Sequence, residues 1–465
     1  MVGKAESDDL AAESARPSFV TAALLTYGTN VFVAFLSLIN VLIVSRALGP
    51  AGRGDVVFLT AIAWLVSHLA TCGIQEANAN VAGLEPHARR ALATNSLIFA
   101  AVFGAAAIGA LTLLIAVFPA VAGESDPALR WLTFASLPML ILAVYLRFLT
   151  QADYGFLVTN LAWLVVPVTN VTVNGVLALV GSLSVGSAVG AWIAGQAIGT
   201  AMLVWYIARR LAGFGRPDLR LARRALGFGA RSHAGRIMLL GNYRLDQWIL
   251  GAVSGSRELG LYSVAVAWAE ALAQLPTALA AVQRPDVVRA SREGAVRQAA
   301  VVFRAAVAVT AVLAVGMIVA APFLCVTVFG ESFRGAIDDL RVLVLGGLGV
   351  VALKQLGGAL TGQNRPTLAS AAIGVAFLST VLFDIILIPP YGGLGAAIAS
   401  TISYTAGGVA VALIFTRSLG GRLADLVPRW NEVPLLWNSL RRILRRPTRV
   451  RPDPAAAESA EELTS

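Results

Sequence analysis

The chain has 465 residues, of which 57% are hydrophobic and only 13% are charged, and its mean hydropathy is +0.75. A soluble globular protein carries about 25% charged residues, so this composition excludes an ordinary soluble enzyme and places nearly the whole chain in lipid. The formal net charge of +10 lies mostly in short loops and one tail, where the positive-inside rule predicts it, and it therefore does not indicate nucleic-acid binding.

The chain begins with a polar segment and continues as a series of apolar stretches. Residues 1–18 are polar, and the apolar stretch after them is too long for the core of a cleaved signal peptide. We therefore predict a disordered cytoplasmic N-terminus over 1–18. Because a helix needs about 20 apolar residues to cross a bilayer, the sequence predicts twelve spans, at about 19–45, 55–82, 91–118, 129–150, 155–180, 186–208, 226–252, 258–282, 299–322, 338–360, 366–389 and 393–416.

Arginines alternate between the predicted loops. They are frequent between spans 2 and 3, spans 6 and 7, and spans 8 and 9, whereas 181–187 and 389–394 have none. The positive-inside rule then places both termini in the cytoplasm. With six spans in each half, the two halves enter the membrane in the same orientation. We predict an N-lobe over 19–210, a basic cytoplasmic linker over 211–225 and a C-lobe over 226–417.

The membrane pattern occurs twice. At an offset of about 206 residues, Gly54 falls on Gly260, Val57 on Ser263 and Ala61 falls on Ala267. A chain built from two such copies is typical of a transporter in which one half rocks against the other. The predicted fold class is an all-α polytopic membrane protein with two parallel six-helix repeats, which form two lobes around a central cavity.

The C-terminal region differs from the spans. In 418–446 apolar and arginine side chains occupy opposite faces of a helix, which indicates an interfacial amphipathic segment held partly by anionic lipid. Residues 447–465 are rich in Pro, Ala and Glu, and we predict that this tail is disordered.

Polar residues at membrane depth usually face a bundle interior or a watery cavity. Spans 1, 2, 7 and 8 each carry a polar stripe, and the candidates for lining a cavity are Arg236, Arg231, His233, Tyr243, Gln247, His68, Gln75, Asn78, Asn30, Glu270 and Gln274. Two alternatives stay open: such stripes also serve helix packing alone, and Arg231 is near enough to the cytoplasmic surface to snorkel. Asp384 and Glu270 are candidates for proton coupling.

The cationic character of span 7 suits an anionic cargo, because the planar fork of arginine binds phosphate. A pyrophosphate on a lipid carrier is such a cargo. The sequence contains no phosphate-binding loop, no HExxH or CxxC motif and no loop with paired catalytic carboxylates. We therefore predict a protein that is not an enzyme, has no cofactor and has no metal site.

Several segments resemble one family. Residues 45–54 (SRALGPAGRG), 242–251 (NYRLDQWILG), 258–265 (ELGLYSVA) and 361–366 (TGQNRP) are similar to those of Wzx-type oligosaccharide flippases, within the multidrug/oligosaccharidyl-lipid/polysaccharide exporter superfamily. The resemblance covers about 19–417. It implies a two-lobed bundle of twelve helices with a cationic cavity, in the bacterial cytoplasmic membrane. It also implies alternating-access transfer of a polyprenyl-pyrophosphate-linked glycan to the outer leaflet, for cell-surface polysaccharide biosynthesis.

On this interpretation Arg236, and with it Arg231, binds the pyrophosphate. The expected partners are the lipid-linked glycan, membrane lipids and polysaccharide polymerases or glycosyltransferases, with no nucleic acid. Relatives that flip the peptidoglycan precursor usually have fourteen spans, which argues against that cargo. Two alternatives remain: a drug/cation antiporter of the same superfamily, and a non-transporting scaffold that recruits polysaccharide assembly enzymes through its basic tail.

Overall fold

The computed structural model describes residues 19–427, apart from 212 and 290. The predictions for 1–18, for 447–465 and for most of the amphipathic segment lie outside the described residues. Within the described ranges the chain is helical and has no strand. It forms α1 (Phe19–Leu69), α2 (Ile74–Leu84), α3 (Arg89–Val117), α4 (Pro127–Ala135), α5 (Leu137–Ala152), α6 (Phe156–Leu179), α7 (Val185–Arg210), α8 (Leu219–Val253), α9 (Gly255–Arg289), α10 (Arg292–Pro322), α11 (Ala336–Gly362) and α12 (Pro366–Leu419).

The helices confirm the predicted all-α membrane fold. In the described part of the chain, seven helical stretches are long and apolar enough to span a membrane, namely Leu25–Leu69, Pro86–Val117, Pro127–Ala152, Phe156–Leu179, Val185–Arg210, Glu293–Thr327 and Pro366–Leu419. The first and last are long enough to hold two predicted spans each. Helices α8, α9 and α11 hold predicted spans 7, 8 and 10.

Two glycines divide the longest helices. In α1 the backbone of Gly49 is non-helical (φ 68°, ψ −175°), and in α12 the same is true of Gly392 (φ 54°, ψ −131°). Glycine adopts a positive φ without steric cost, and a proline stands beside or shortly before each position. The chain thus reverses direction between spans 1 and 2, and again between spans 11 and 12, with almost no loop.

Predicted span 2 is broken where the sequence indicated a continuous helix over 55–82. Helix α1 ends at Leu69, and α2 begins at Ile74 after Cys72 (φ 47°) and Gly73 (φ 73°). The break frees backbone carbonyls inside the bundle, which must find donors. The Tyr145 hydroxyl donates to the carbonyl of Thr71 (3.0 Å), and His233 Nε2 donates to the carbonyl of Leu69 (2.7 Å).

The internal repeat is visible as a symmetric helix crossing. A Cβ atom on Gly54 would lie 1.7 Å from the carbonyl oxygen of Ser256, and one on Gly260 would lie 1.8 Å from that of Pro50. The same 206-residue offset relates Gly54 to Gly260 and Pro50 to Ser256. The two contacts are therefore equivalent, as expected where a pseudo-twofold axis relates α1 to α9.

The bundle has two chemically different ends. At the end that we call arginine-rich, Arg89 pairs with Asp153 (2.5 Å) and Arg224 pairs with Glu85 (2.5 Å). Helix α8 begins here at Leu219, capped by the Asp218 carboxylate, so it starts within the stretch predicted as the linker 211–225.

At the opposite, arginine-poor end, apolar packing joins the two repeats. The Phe58 ring packs against Gly123 and Gly251, and one buried cluster contains side chains of α1, α5, α9, α10 and α11. Arg46 donates to the carbonyls of Thr327 and Val328, both at 2.7 Å. This end is therefore held closed by contacts from both halves of the chain.

Candidate functional site

A cavity of about 350 Å³ lies between the two repeats. It is lined by one face each of α1, α6, α7, α8 and α9, because the lining residues recur every three or four positions along each helix. These residues are Val33, Ser37, Asn40, Val41, Arg53, Val57, Thr60, Ala61, Trp64, Trp163, Val166, Pro167, Asn170, Trp192, Gln196, Arg244, Gln247, Ser263, Val266, Ala267 and Glu270. The first three helices come from the first repeat, and the last two from the second.

Arg53, Arg244 and Glu270 give the described lining its charge. Arg53 is 9% exposed and donates through Nε to the hydroxyl of Ser263 (3.2 Å). Arg244 forms an ion pair with Glu270 (Nη1 to Oε1, 3.0 Å) and lies 5.8 Å from the centre of the Trp64 ring. With two cations and one anion, the described lining carries one net positive charge, as an anion-binding cavity requires.

Indoles and amides form much of the remaining wall. Trp64, Trp163 and Trp192 line the cavity together with Asn170 and Gln196. The Asn170 side-chain oxygen is buried and has no hydrogen-bond partner among the described residues. Flat aromatic faces beside an unsatisfied amide oxygen suit a ligand that presents both ring faces and hydroxyl groups.

The structure brings two of the predicted site residues into this cavity, Gln247 and Glu270. Tyr243 precedes Arg244 on α8 and is 37% exposed. Asn30 on α1 and Arg231 on α8 are exposed, and Gln274 on α9 is half-buried. None of these last four is among the described residues that line the cavity.

The other predicted residues lie toward the arginine-rich end, around the break in span 2. His68 packs on Trp64 with ring centres 4.3 Å apart, and its Nδ1 lies 2.8 Å from the Trp64 carbonyl. Arg236 pairs with Glu76 (3.3 Å), and Asn78 donates to Ser96 (2.9 Å). His233 bonds to α1 as described above, and Gln75 is fully buried. These side chains form a second polar region beside the cavity.

Sequence reasoning missed Arg53 as a cavity residue because it treated this arginine as part of a loop. The structure places it one turn before Val57 on the helix that continues to Thr60 and Trp64, and all four line the cavity. Following the polar stripe of span 2 back from Trp64 by about three turns, through Thr60 and Val57, would have found it. Trp163 and Trp192 gave no comparable signal, since a tryptophan in an apolar span is equally suited to lipid or to packing.

A buried acidic pair lies inside the second repeat. Asp384 is 0% exposed, and neither of its carboxylate oxygens has a hydrogen-bond partner in the described part of the chain. Asp246 accepts from the Tyr262 hydroxyl (2.5 Å), the Gln247 amide (2.7 Å) and the Ser400 hydroxyl (3.4 Å). The two carboxyls are close enough to interact electrostatically. In the described ranges no group of three or more His, Cys, Asp or Glu side chains is arranged to hold a metal ion.

The fold is similar to that of membrane transporters of known structure. The structure superimposes on that of the lipid II flippase MurJ in an inward closed conformation with a TM-score of 0.70 at 15% identity, over 90% of this chain and 91% of that one. It superimposes on a multidrug resistance MATE family transporter of the MOP superfamily with a TM-score of 0.68 at 13% identity, over 86% and 98%. A MOP superfamily transporter from Pyrococcus furiosus gives 0.55 at 15% identity, over 87% and 97%. The fold is therefore the MurJ- and MATE-like fold.

The family is shown by the sequence itself. The profile of the family described as "Polysaccharide biosynthesis protein" matches residues 43–338, which is more than half of the chain. The chain belongs to this polysaccharide biosynthesis family, which confirms the family resemblance found above. No sequence among the curated proteins is significantly similar to this one.

Proposed function

We propose that this protein flips a polyprenyl-pyrophosphate-linked oligosaccharide from the cytoplasmic to the outer leaflet of the bacterial cytoplasmic membrane by alternating access. The observation that carries the proposal is the inter-repeat cavity, which two arginines line together with indoles and amides. Membership of a polysaccharide biosynthesis family and the likeness to a lipid II flippase support it. The cell would use such an activity to build a surface polysaccharide.

The pyrophosphate binds to Arg53 and Arg244 in this proposal. Both guanidinium groups reach the cavity from opposite repeats, and each offers a planar set of donors that fits phosphate oxygens. Glu270 forms an ion pair with Arg244 at 3.0 Å. An arriving diphosphate competes for that arginine. The sequence-based assignment of the pyrophosphate to Arg236 and Arg231 stays a prediction, since both lie outside the described lining.

The sugars fill the rest of the cavity. Indole faces stack on the apolar faces of sugar rings, while Asn170, Gln196 and Gln247 provide donors and acceptors for hydroxyl groups. The polyprenyl chain stays in the bilayer. Val31, Phe32 and Phe35 on α1 are exposed, as is expected of side chains that contact lipid.

Orientation follows from loop charge. The arginine-rich end faces the cytoplasm under the positive-inside rule, so the closed arginine-poor end faces outward. In this arrangement the cargo enters from the cytoplasmic side while the outer contact between Gly54 and Gly260 is shut. Polysaccharide polymerases or glycosyltransferases at either face are proposed partners.

The test is charge removal at the cavity. Arg244→Gln and Arg53→Gln, expressed in cells that lack the native protein, are each expected to slow appearance of the surface polymer about 30-fold. That factor corresponds to the loss of about 2 kcal/mol from a charge-assisted contact. The lipid-linked glycan should accumulate in the cytoplasmic leaflet. Arg334→Gln is the matched control, because Arg334 is exposed and pairs with Glu331 at the arginine-poor end.

If both cavity variants make a normal amount of surface polymer and accumulate no lipid-linked glycan, the proposal is overturned. A drug/cation antiporter is the second candidate, favoured by the carboxylate of Glu270 in the cavity and by the MATE neighbours. If the protein is such an antiporter, cells from which it has been deleted should become sensitive to drugs and keep intact surface glycans. A scaffold, by contrast, should lose function when residues 420–465 are removed, whereas a flippase should largely keep it.

A further inference from the structure

Buried polar atoms without partners are concentrated at the break in span 2. Both side-chain atoms of Gln75, the Nε atoms of Arg147 and Arg236, and Nδ1 of His233 are buried and form no hydrogen bond with the described residues. An unsatisfied buried polar group costs about 1–3 kcal/mol. Several such groups in one region indicate that the region normally holds polar atoms that do not belong to the protein.

Contacts link the three helices that carry Gln75, Arg147 and Arg236. Arg236 on α8 pairs with Glu76, the neighbour of Gln75 on α2, and lies 5.9 Å from the ring of Phe148, the neighbour of Arg147 on α5. The Arg147 and Arg236 charges are close enough to interact with one another and with His68. Arg147 and Arg236 are therefore neighbours, and α2, which carries the buried Gln75, contacts both of their helices.

The charge of the cluster selects an anion. Arg147 and Arg236 contribute two positive charges, and Glu76, at 37% side-chain exposure, partly neutralises one of them. None of the described residues forms a hydrogen bond or ion pair with Arg147, whose guanidinium instead lies 4.3 Å above the Trp163 ring. Helix α2, which contacts α5, begins without a side-chain cap, so its positive end adds to the attraction.

We propose that Arg147, Arg236 and Gln75 form a second anion site, which receives the diphosphate of the cargo before it reaches the cavity. The inference rests on the proposed function. Arg236 and Arg244 are eight residues apart on α8, which separates the two sites by about 12 Å along the helix axis. Trp163 borders both, since it lines the cavity and lies under Arg147. The diphosphate therefore passes from the site at the arginine-rich end to Arg53 and Arg244.

Binding of farnesyl diphosphate to the full chain in lipid nanodiscs, measured by titration calorimetry, tests the second site. The wild type is expected to bind two molecules. Arg147→Gln should weaken one of the two sites at least tenfold and leave the other unchanged, whereas Arg244→Gln should do the reverse. Inorganic pyrophosphate serves as the second probe, and weaker binding than farnesyl diphosphate would show that the site takes the lipid-borne group.

Gln75→Leu separates binding from folding. Since the Gln75 amide has no hydrogen-bond partner in the described part of the chain, the leucine variant should unfold at the same temperature as the wild type or higher. It should nevertheless weaken the same site as Arg147→Gln. Unchanged binding in a folded Arg147→Gln or in Gln75→Leu refutes the second site. If binding falls as expected but glycan flipping is normal in every variant, the second site stands and the proposed flippase function fails.

Discussion

Replacing Gly54 with valine should abolish transport while leaving the protein folded and in the membrane. Even a single Cβ atom at this position would stand 1.7 Å from the carbonyl oxygen of Ser256, and backbone on a packed helix cannot yield as a flexible side chain can. Overpacking usually costs about 1–3 kcal/mol and sometimes more. Here the cost falls only on the state in which α1 and α9 touch, so a cost near the upper end of that range should lower the population of the closed arrangement of the arginine-poor end about 100-fold.

Accessibility of the cavity measures this effect. Thr60 lines the cavity, and its hydroxyl donates to backbone carbonyls of its own helix. We expect Thr60→Cys, in a chain with Cys72 and Cys325 replaced by serine, to resist a membrane-impermeant thiol reagent added outside. Adding Gly54→Val should make the same cysteine reactive. Gly260→Val should act identically, because the two contacts are related by the repeat.

Gly316→Val is the matched control for the glycine prediction. Gly316 lies within α10, and a Cβ atom added there would point into open space, with no neighbouring atom within 4 Å. The same enlargement therefore meets no obstacle at this position. The variant should transport normally and keep Thr60→Cys protected. Full transport by Gly54→Val would mean that closure of this crossing is not part of the cycle.

The glycine pair also shows what the sequence was able to predict. The offset that aligned Gly54 with Gly260 required only the residues themselves, because a repeat leaves its trace in residue type at fixed spacing. The same reasoning predicted the all-α fold and a connection between spans 366–389 and 393–416, where the structure places the non-helical Gly392, since apolar length is a local signal. The contact between α1 and α9 at these two glycines was not predicted, because an alignment of two repeats gives no information on the distance between the aligned residues.

Other features depended on partners distant in the chain. The break after Leu69 requires Cys72 in a left-handed conformation, and the bonds from Tyr145 and His233 that compensate it come from two other helices. The hydropathy pattern of one span contains no information on that backbone conformation or on bonds from other helices. For the same reason the sequence did not show that the polar residues of span 7 lie in two separate regions of the structure. Gln247 faces the cavity, whereas Arg236 and His233 meet the broken helix eleven to fourteen residues earlier.

Asp384→Asn should uncouple transport from the membrane proton gradient while barely changing stability. The Asp384 carboxyl is fully buried without a hydrogen-bond partner among the described residues, and it lies within electrostatic range of Asp246. Two neighbouring carboxylates at membrane depth cannot both stay charged at low cost. Because Asp246 already accepts three hydrogen bonds, we expect Asp384 to be the group that gains and loses a proton. Asparagine has the same shape but cannot carry that proton.

The position of the pair explains how a proton would act on the cavity. Asp246 precedes Gln247, which lines the cavity, and follows Arg244 by two residues on α8, while Tyr262 and Ser400 connect Asp246 to α9 and α12. Charging Asp384 would therefore strain a network that holds three helices of the second repeat together. Any shift of α8 moves Arg244 relative to Arg53 in the first repeat, which changes the affinity of the cavity for an anion.

Flipping in proteoliposomes with an imposed pH gradient measures the coupling. The wild type should flip a lipid-linked glycan faster with the gradient than without it, and Asp384→Asn should flip at one rate in both conditions. Asp338→Asn is the control, because Asp338 is 72% exposed and pairs with Arg341 at the end of α11. If Asp384→Asn keeps its gradient response, the proton is carried elsewhere, and Glu270, which already contacts Arg244 in the cavity, becomes the group to replace next.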